Sequence, residues 1–180
     1  MKQEKGKNKS YKERNEIEKI IKEKCIDRNS FYEVAKAGYK QIIHRLYYTF
    51  CDYHNFPTIQ IKYMWIRLRG KLEQSELIPA NGKDWNTYID SIDHLIPEKA
   101  SCVCYYLIVD GGWVYQGSIK EIKKILYEYP QWMEDFYLFP MDYRWLIIHC
   151  EDGACMCRVW KSTDSPSTLA DDKSSSPKIR

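Results

Sequence analysis

The chain has 180 residues, 44% of them hydrophobic, and its 15 Tyr, 6 Trp and 5 Phe supply more large apolar surface than a disordered chain carries, enough for one core. No apolar run approaches the roughly 20 residues of a membrane-spanning helix, and the lysine-rich first ten residues lack the apolar stretch of a signal peptide, so a cytoplasmic protein with no membrane partner is expected. The formal charge of +3 hides a split, because residues 1–72 carry 17 Lys+Arg against 8 Asp+Glu and residues 73–180 carry 11 against 17, a bipolarity that can steer a charged partner.

Residues 1–9 are polar and basic and read as a disordered arm. Ser10 with Glu13 has capping-box spacing, and Ile17, Ile20, Ile21 and Cys25 then share one helical face. A second such pair, Ser30 with Glu33, opens a predicted helix carrying Phe31, Val34, Ala35, Gly38, Ile42, Leu46 and Phe50 and ending before Pro57. The alternation in Ile59-Gln60-Ile61-Lys62-Tyr63-Met64-Trp65 predicts a strand. Pro79-Ala80-Asn81-Gly82 is turn chemistry, and Asp84 is the expected N-cap of a helix with Trp85, Tyr88, Ile89, Ile92 and Leu95.

From residue 100 the pattern changes to β. A strand over 102–109 turns at Asp110-Gly111-Gly112 into Trp113-Val114-Tyr115. Ser118 with Glu121 caps a helix bearing Ile119, Ile122, Ile125, Leu126 and Tyr129, which Pro130 stops. Strands follow at 136–139 and 145–150, and Asp152-Gly153 is read as a two-residue hairpin loop into 155–160, setting Cys150 opposite Cys155. Residues 161–180 are read as a disordered tail. The expectation is a single α+β domain over 10–160, mainly helical to 97 and mainly β from 100, as an antiparallel sheet with the N-terminal helices and one inserted helix on one face.

Side-chain alternation puts Cys150, Cys155 and Cys157 on one face with Leu146, Ile148 and Val159, where Cys102 or Cys104 from another strand could complete a tetrahedral thiolate set. Packing explains the same pattern more simply. Free cysteine behaves as a small buried hydrophobe, the C-x-C spacings 102/104 and 155/157 are what an alternating strand with inward cysteines produces, and His149 should point to the other face. Neither metal nor cofactor is therefore expected. An odd seven cysteines outside a secretory context favours reduced thiols.

No nucleophile elbow, Walker A, G-x-G-x-x-G or H-E-x-x-H motif is present. Asp110 with Glu121-Ile122-Lys123 superficially matches a D…E-x-K nuclease set, and thus a metal-dependent enzyme, but Glu121 is better explained as a capping residue. Asp90 and His94 stand one helical turn apart, a spacing common in solvated pairs, while His44 and His54 have no evident partner. Lys62, Arg67 and Arg69 near Tyr63 and Trp65 combine phosphate-binding charge with stacking surface, which keeps nucleic acid open as a partner of the basic half.

Trp113-Val114-Tyr115-Gln116-Gly117, Ile125-Leu126-Tyr127-Glu128, Phe136-Tyr137-Leu138 and Tyr143-Arg144-Trp145-Leu146 together resemble the C-terminal pattern of a family of small bacterial proteins of unknown function. That family also carries a W-L-W-E element, loosely matched here by Met64-Trp65-Ile66-Arg67, and Asn-His-His after its W-L strand, where this chain has Ile148-His149-Cys150-Glu151. Arg67 stands where an acid is expected. The resemblance implies no known activity. More loosely, the chain is similar to small α+β immunity proteins that neutralise bacterial toxins by binding them.

The function expected from these features is non-catalytic binding of a protein partner, of immunity or accessory type. Its acids would be drawn from Asp110, Glu121, Glu128, Glu134, Asp135, Asp142, Glu151 and Asp152, and its aromatic anchors would be Trp113, Trp132 and Tyr137. Trp145 is assigned to the core.

Overall fold

The computed structural model describes residues 8–81, 83–97, 104–109, 111–129 and 135–159. Residues 1–7 of the arm expected over 1–9, the tail over 161–180, and Cys102, Asp110, Pro130, Trp132 and Glu134 lie outside them, while Asn8 and Lys9 of that arm open the first helix.

Four α-helices and eight strands are described: α1 (Asn8–Glu23), β1 (Phe31–Glu33), α2 (Lys36–Phe50), β2 (Leu72–Gln74), β3 (Ile78–Pro79), α3 (Trp85–Ile92), β4 (Tyr105–Val109), β5 (Trp113–Gly117), α4 (Ile119–Glu128), β6 (Phe136–Pro140), β7 (Trp145–Cys150) and β8 (Gly153–Val159). All pairings are antiparallel, in the order β1-β5-β4-β6-β7-β8-β2, with β3 also on the outer side of β8. The class is α+β, as the element order predicts.

Period-two alternation decides how the sheet is covered. Leu107, Val109, Tyr115, Phe136, Leu138, Trp145 and Ile147 face one core, where α1, α3 and α4 contribute Ile17, Ile89, Ile122 and Ile125. Ile108, Val114, Tyr137, Leu146, Ile148 and Cys157 face a second core, closed by Ile42, Leu46, Tyr47 and Phe50 of α2 and by Met64. The helices are thus not confined to one face. Central strands apolar on both sides demand cover on both.

Two predicted caps form as read: the Asp84 carboxylate accepts from Thr87 N at 3.0 Å, and the Ser118 hydroxyl accepts from Glu121 N at 3.3 Å. Two other readings are corrected. Ser10 lies inside α1 rather than capping it, and the Ser30–Glu33 pattern opens not a helix but edge strand β1, paired with β5. Tertiary contact overrides the local signal there: the Phe31 ring stacks on Tyr115 at 5.3 Å, and β1 comes so close to Gly117 that an added Cβ would meet Ser30 O at 2.7 Å. Helix α2 starts only at Lys36.

Residues 59–65 form no strand. The outer edge of β8 is occupied by β2 and β3, so the segment instead turns at Tyr63 (φ 56°) into a 3₁₀ turn, Met64–Arg67. The β7–β8 hairpin is also shifted from its expected register. Cys150 pairs with Gly153, Ile148 with Cys155 and Leu146 with Cys157, which leaves Glu151-Asp152 as the loop. Gly153 (φ 146°) is needed for approach rather than turning, because a Cβ there would lie 2.1 Å from Ile78 O of β3.

Candidate functional site

A solvent-facing groove of about 300 Å³ opens beside the β7–β8 hairpin, lined by Trp65, Ile66, Leu68, Leu77, Ile148 and Cys155, with Gln74, Cys150 and Asp152 completing it. Three of these side chains are large, apolar and exposed: Trp65 by 36%, Ile66 by 57% and Leu77 by 52%. They belong to a wider concentration. Of ten such side chains among the described residues, seven fall between 48 and 77, the others of that segment being Tyr48, Tyr53, Phe56 and Tyr63. A stretch that is mostly loop and exposes this much apolar surface is a binding-surface candidate.

That wall is held by buried polar groups beneath it. The Tyr137 hydroxyl accepts from Met64 N at 3.0 Å and donates to Ile61 O at 3.0 Å, the Asp135 carboxylate accepts from Tyr63 N at 3.1 Å, and the Tyr47 hydroxyl reaches Phe56 O at 3.0 Å. Leu68 bridges to Cys51, and Arg69 N donates to Phe50 O, tying the descending chain to the end of α2. Each buried hydrogen bond replaces one that water would otherwise make, so the loop has a defined shape without a helix or strand.

The residues expected to meet a partner are mostly elsewhere. Tyr137 (0% exposed), Asp135 (3%) and Trp113 (6%) are buried, because each occupies a sheet-facing or loop-bracing position instead of the rim. The cations of Arg14 and Lys36 each stand over the Trp113 ring, 5.2 Å from its centre. Among the described residues the expected acids do not form one exposed face either. Glu121 pairs with Lys124 and Glu128 with Lys24, while Asp142 pairs with Arg144 of its own turn. Among the described residues Asp152 is the one expected acid that lines the groove, and Glu151 is exposed beside it.

The thiols divide. Cys150, Cys155 and Cys157 do share the face of Leu146 and Ile148, and Cys104 is placed elsewhere, its sulfur 3.8 Å from Gln116 Nε2. Among the described residues no group of three or more His, Cys, Asp or Glu is placed to hold a metal ion, and the six described cysteines are unbridged. His149 points to the opposite face, with Nδ1 2.6 Å from the Tyr88 hydroxyl. Burial pushes Cys51 up to about 12, which leaves it an inert thiol.

The other candidate chemistry is dispersed. Asp90 pairs not with His94 but with Lys123, at 2.9 Å, and Lys123 also reaches Asp93 at 2.7 Å. Glu121 and Lys123 therefore face different partners. Lys62 lies 4.8 Å from the Tyr63 ring, and Arg67 5.8 Å from that of Phe56. The guanidinium of Arg67 is bound to Thr58 O and Gln60, and that of Arg69 to Tyr48 O.

The groove itself could not be read from sequence, since its walls come from 65–77 and 148–155. One signal did mark both. The stretches Met64–Arg67 and 148–151, which the family resemblance picked out separately, both contribute lining residues, Trp65 and Ile66 from the first and Ile148 and Cys150 from the second.

These features define an α+β protein on one antiparallel sheet, clad on both faces, with an apolar groove beside its last hairpin. The model described as "Family of unknown function (DUF6756)" matches residues 9–169, and the chain belongs to that family. No curated protein and no solved structure matches it. Among the described residues no helix is long and apolar enough to cross a membrane.

Proposed function

We propose that this chain is a non-catalytic binding protein of immunity or accessory type, acting in the bacterial cytosol, whose groove at Trp65, Ile66, Leu68 and Leu77 receives an apolar side chain of a protein partner. The observation that carries this reading is the exposure of Trp65, Ile66 and Leu77 around one concavity. Burying such a side chain is worth roughly 1.5–3 kcal/mol, and interface energy concentrates in a few anchors of this kind. Size supports the same reading. At about 300 Å³ the groove stands at the lower limit of small-molecule sites and suits one or two side chains better than a cofactor. Residues 44–71 carry five Lys+Arg against one acid, and although the donors of Arg67 and Arg69 are used within the loop their charge remains, which favours a partner with carboxylates flanking its apolar anchor.

The test is co-expression with the product of the adjacent gene, followed by calorimetry on the purified pair. Trp65→Ala with Leu77→Ala is expected to weaken binding by about 2–4 kcal/mol, roughly 30-fold or more, with the circular dichroism unchanged. Undiminished affinity in that double variant sinks the reading.

Nucleic acid is a second reading, favoured by the exposed Tyr63 and Trp65 beside Lys62. It is weaker, because Arg67 and Arg69 are engaged within the loop. It predicts oligonucleotide retention that falls steeply with salt.

A further inference from the structure

The groove is apolar in its middle and polar at its ends. Ile148 pairs with Cys155, and Leu77 precedes Ile78, which pairs with Ala154, so these apolar members occupy the middle. Gln74 pairs with Cys157 at one end. At the other, Asp152 adjoins Gly153, which lies two strand residues, roughly 7 Å, beyond Cys155. The charge at that end is unmatched. Glu33, Glu73, Glu121 and Asp142 are held by Arg14, Arg158, Lys124 and Arg144, whereas the Asp152 carboxylate forms no ion pair or side-chain hydrogen bond among the described residues. Beside it in the lining, Cys150 stays a neutral thiol, because burial raises its pKa and the charges of Asp135 and Asp152 add to the rise.

An apolar side chain that closed over Asp152 without offering a donor would strip water from a charge and return nothing. A lysine or arginine offers donors, but residues 44–71, with five Lys+Arg against one acid, oppose a further cation. A phenol is neutral, apolar along its flanks and a donor at its tip. An indole carries its donor on the flank of the ring system, where the groove is apolar. We propose that the anchor received by the groove is a tyrosine side chain of the partner, its ring packed against Trp65 and Leu77 and its hydroxyl donating to the Asp152 carboxylate. This inference rests on the partner reading and narrows it, since discrimination against phenylalanine then comes from the polar end and not from the apolar walls.

The full chain is titrated with four side-chain analogues, p-cresol, toluene, 3-methylindole and n-propylguanidinium, and binding is followed by NMR at the methyl groups of Ile66, Leu68 and Leu77. Apolar walls alone would favour toluene, which has no hydroxyl to desolvate. With a charge-assisted hydrogen bond at the groove's end, p-cresol is expected to bind about fivefold tighter than toluene, and tighter than the other two. Asp152→Ala should abolish that advantage and leave the toluene affinity unchanged, because Asp152 serves the fold through its backbone carbonyl, which accepts from Ala80 N. Toluene binding as tightly as p-cresol, an advantage that survives Asp152→Ala, or tighter binding of either other analogue overturns the tyrosine assignment and leaves the groove as an anchor site. Absence of methyl shifts with all four analogues overturns the assignment and the groove reading together.

Discussion

His149 packs between aromatic rings on the sheet face away from the groove, stacked on Phe136 at 4.7 Å and edge-on to Trp85 at 5.7 Å. It is 4% exposed, and burial, which disfavours the imidazolium, lowers its pKa to about 4. The unfolded ring titrates near 6.5, so neutral His149 contributes its full stability above that pH and loses it as pH falls toward 4. Between pH 7.5 and 5 the native chain should lose about 2 kcal/mol through this one group. Urea unfolding at the two pH values, compared with His149→Gln, isolates the effect: the variant should lack that increment, and equal losses in both proteins would refute the assignment. The direction of this side chain was legible, because alternation along 145–150 puts it opposite Cys150 in any register. The register itself was not. Asp152-Gly153 carries a hairpin signal, yet the glycine is required by the carbonyl of Ile78, 75 residues away in sequence and invisible to a local rule.

At the scale of elements, what was legible is what its own residues determine. The Asp84 and Ser118 caps, the turn at Gly111-Gly112 and the apolar strands β4, β6 and β7 all follow from local chemistry. Strands β1, β2 and β3 are only two or three residues long and are strands because β5 and β8 offer them partners. The groove wall at 59–66 is the extreme case, since its shape is set by side chains of β6 and its approach. Tyr137, expected from sequence to touch a partner, acts one layer below as a positioning residue. Tyr137→Phe removes one of the two acceptors of Met64 N, which also donates to Ile61 O, together with the hydroxyl donor to Ile61 O, and should cost about 1–3 kcal/mol. Hydrogen exchange at the Met64 amide should accelerate more than at Leu107, on a neighbouring strand of the same sheet. If both change equally, Tyr137 serves the core in general and does not specifically shape the groove.

The whole molecule is organised by the interleaving of its two halves. Residues 104–159 form the middle of the sheet, while the earlier half supplies β1 at one edge, β2 and β3 at the other, and the helices α1, α2 and α3 over both faces. Leu107 and Ile108, or Ile147 and Ile148, are neighbours in the chain yet belong to opposite cores. Neither core can dissolve while the strands that carry both remain dry on one side, because the freed face would expose a contiguous apolar sheet to water. The two cores should therefore open together. Native-state hydrogen exchange in increasing urea tests this through the most protected amides of α2, at Leu46 and Tyr47, and of α4, at Ile125 and Leu126, all buried on opposite sides of the sheet. Their opening free energies should converge on the global value with one common slope. An α2 that opens at lower urea, with α4 still protected, would mean that the groove face is a separable layer. Recognition would then involve folding of that layer, whereas a common opening leaves the groove preformed on a rigid sheet.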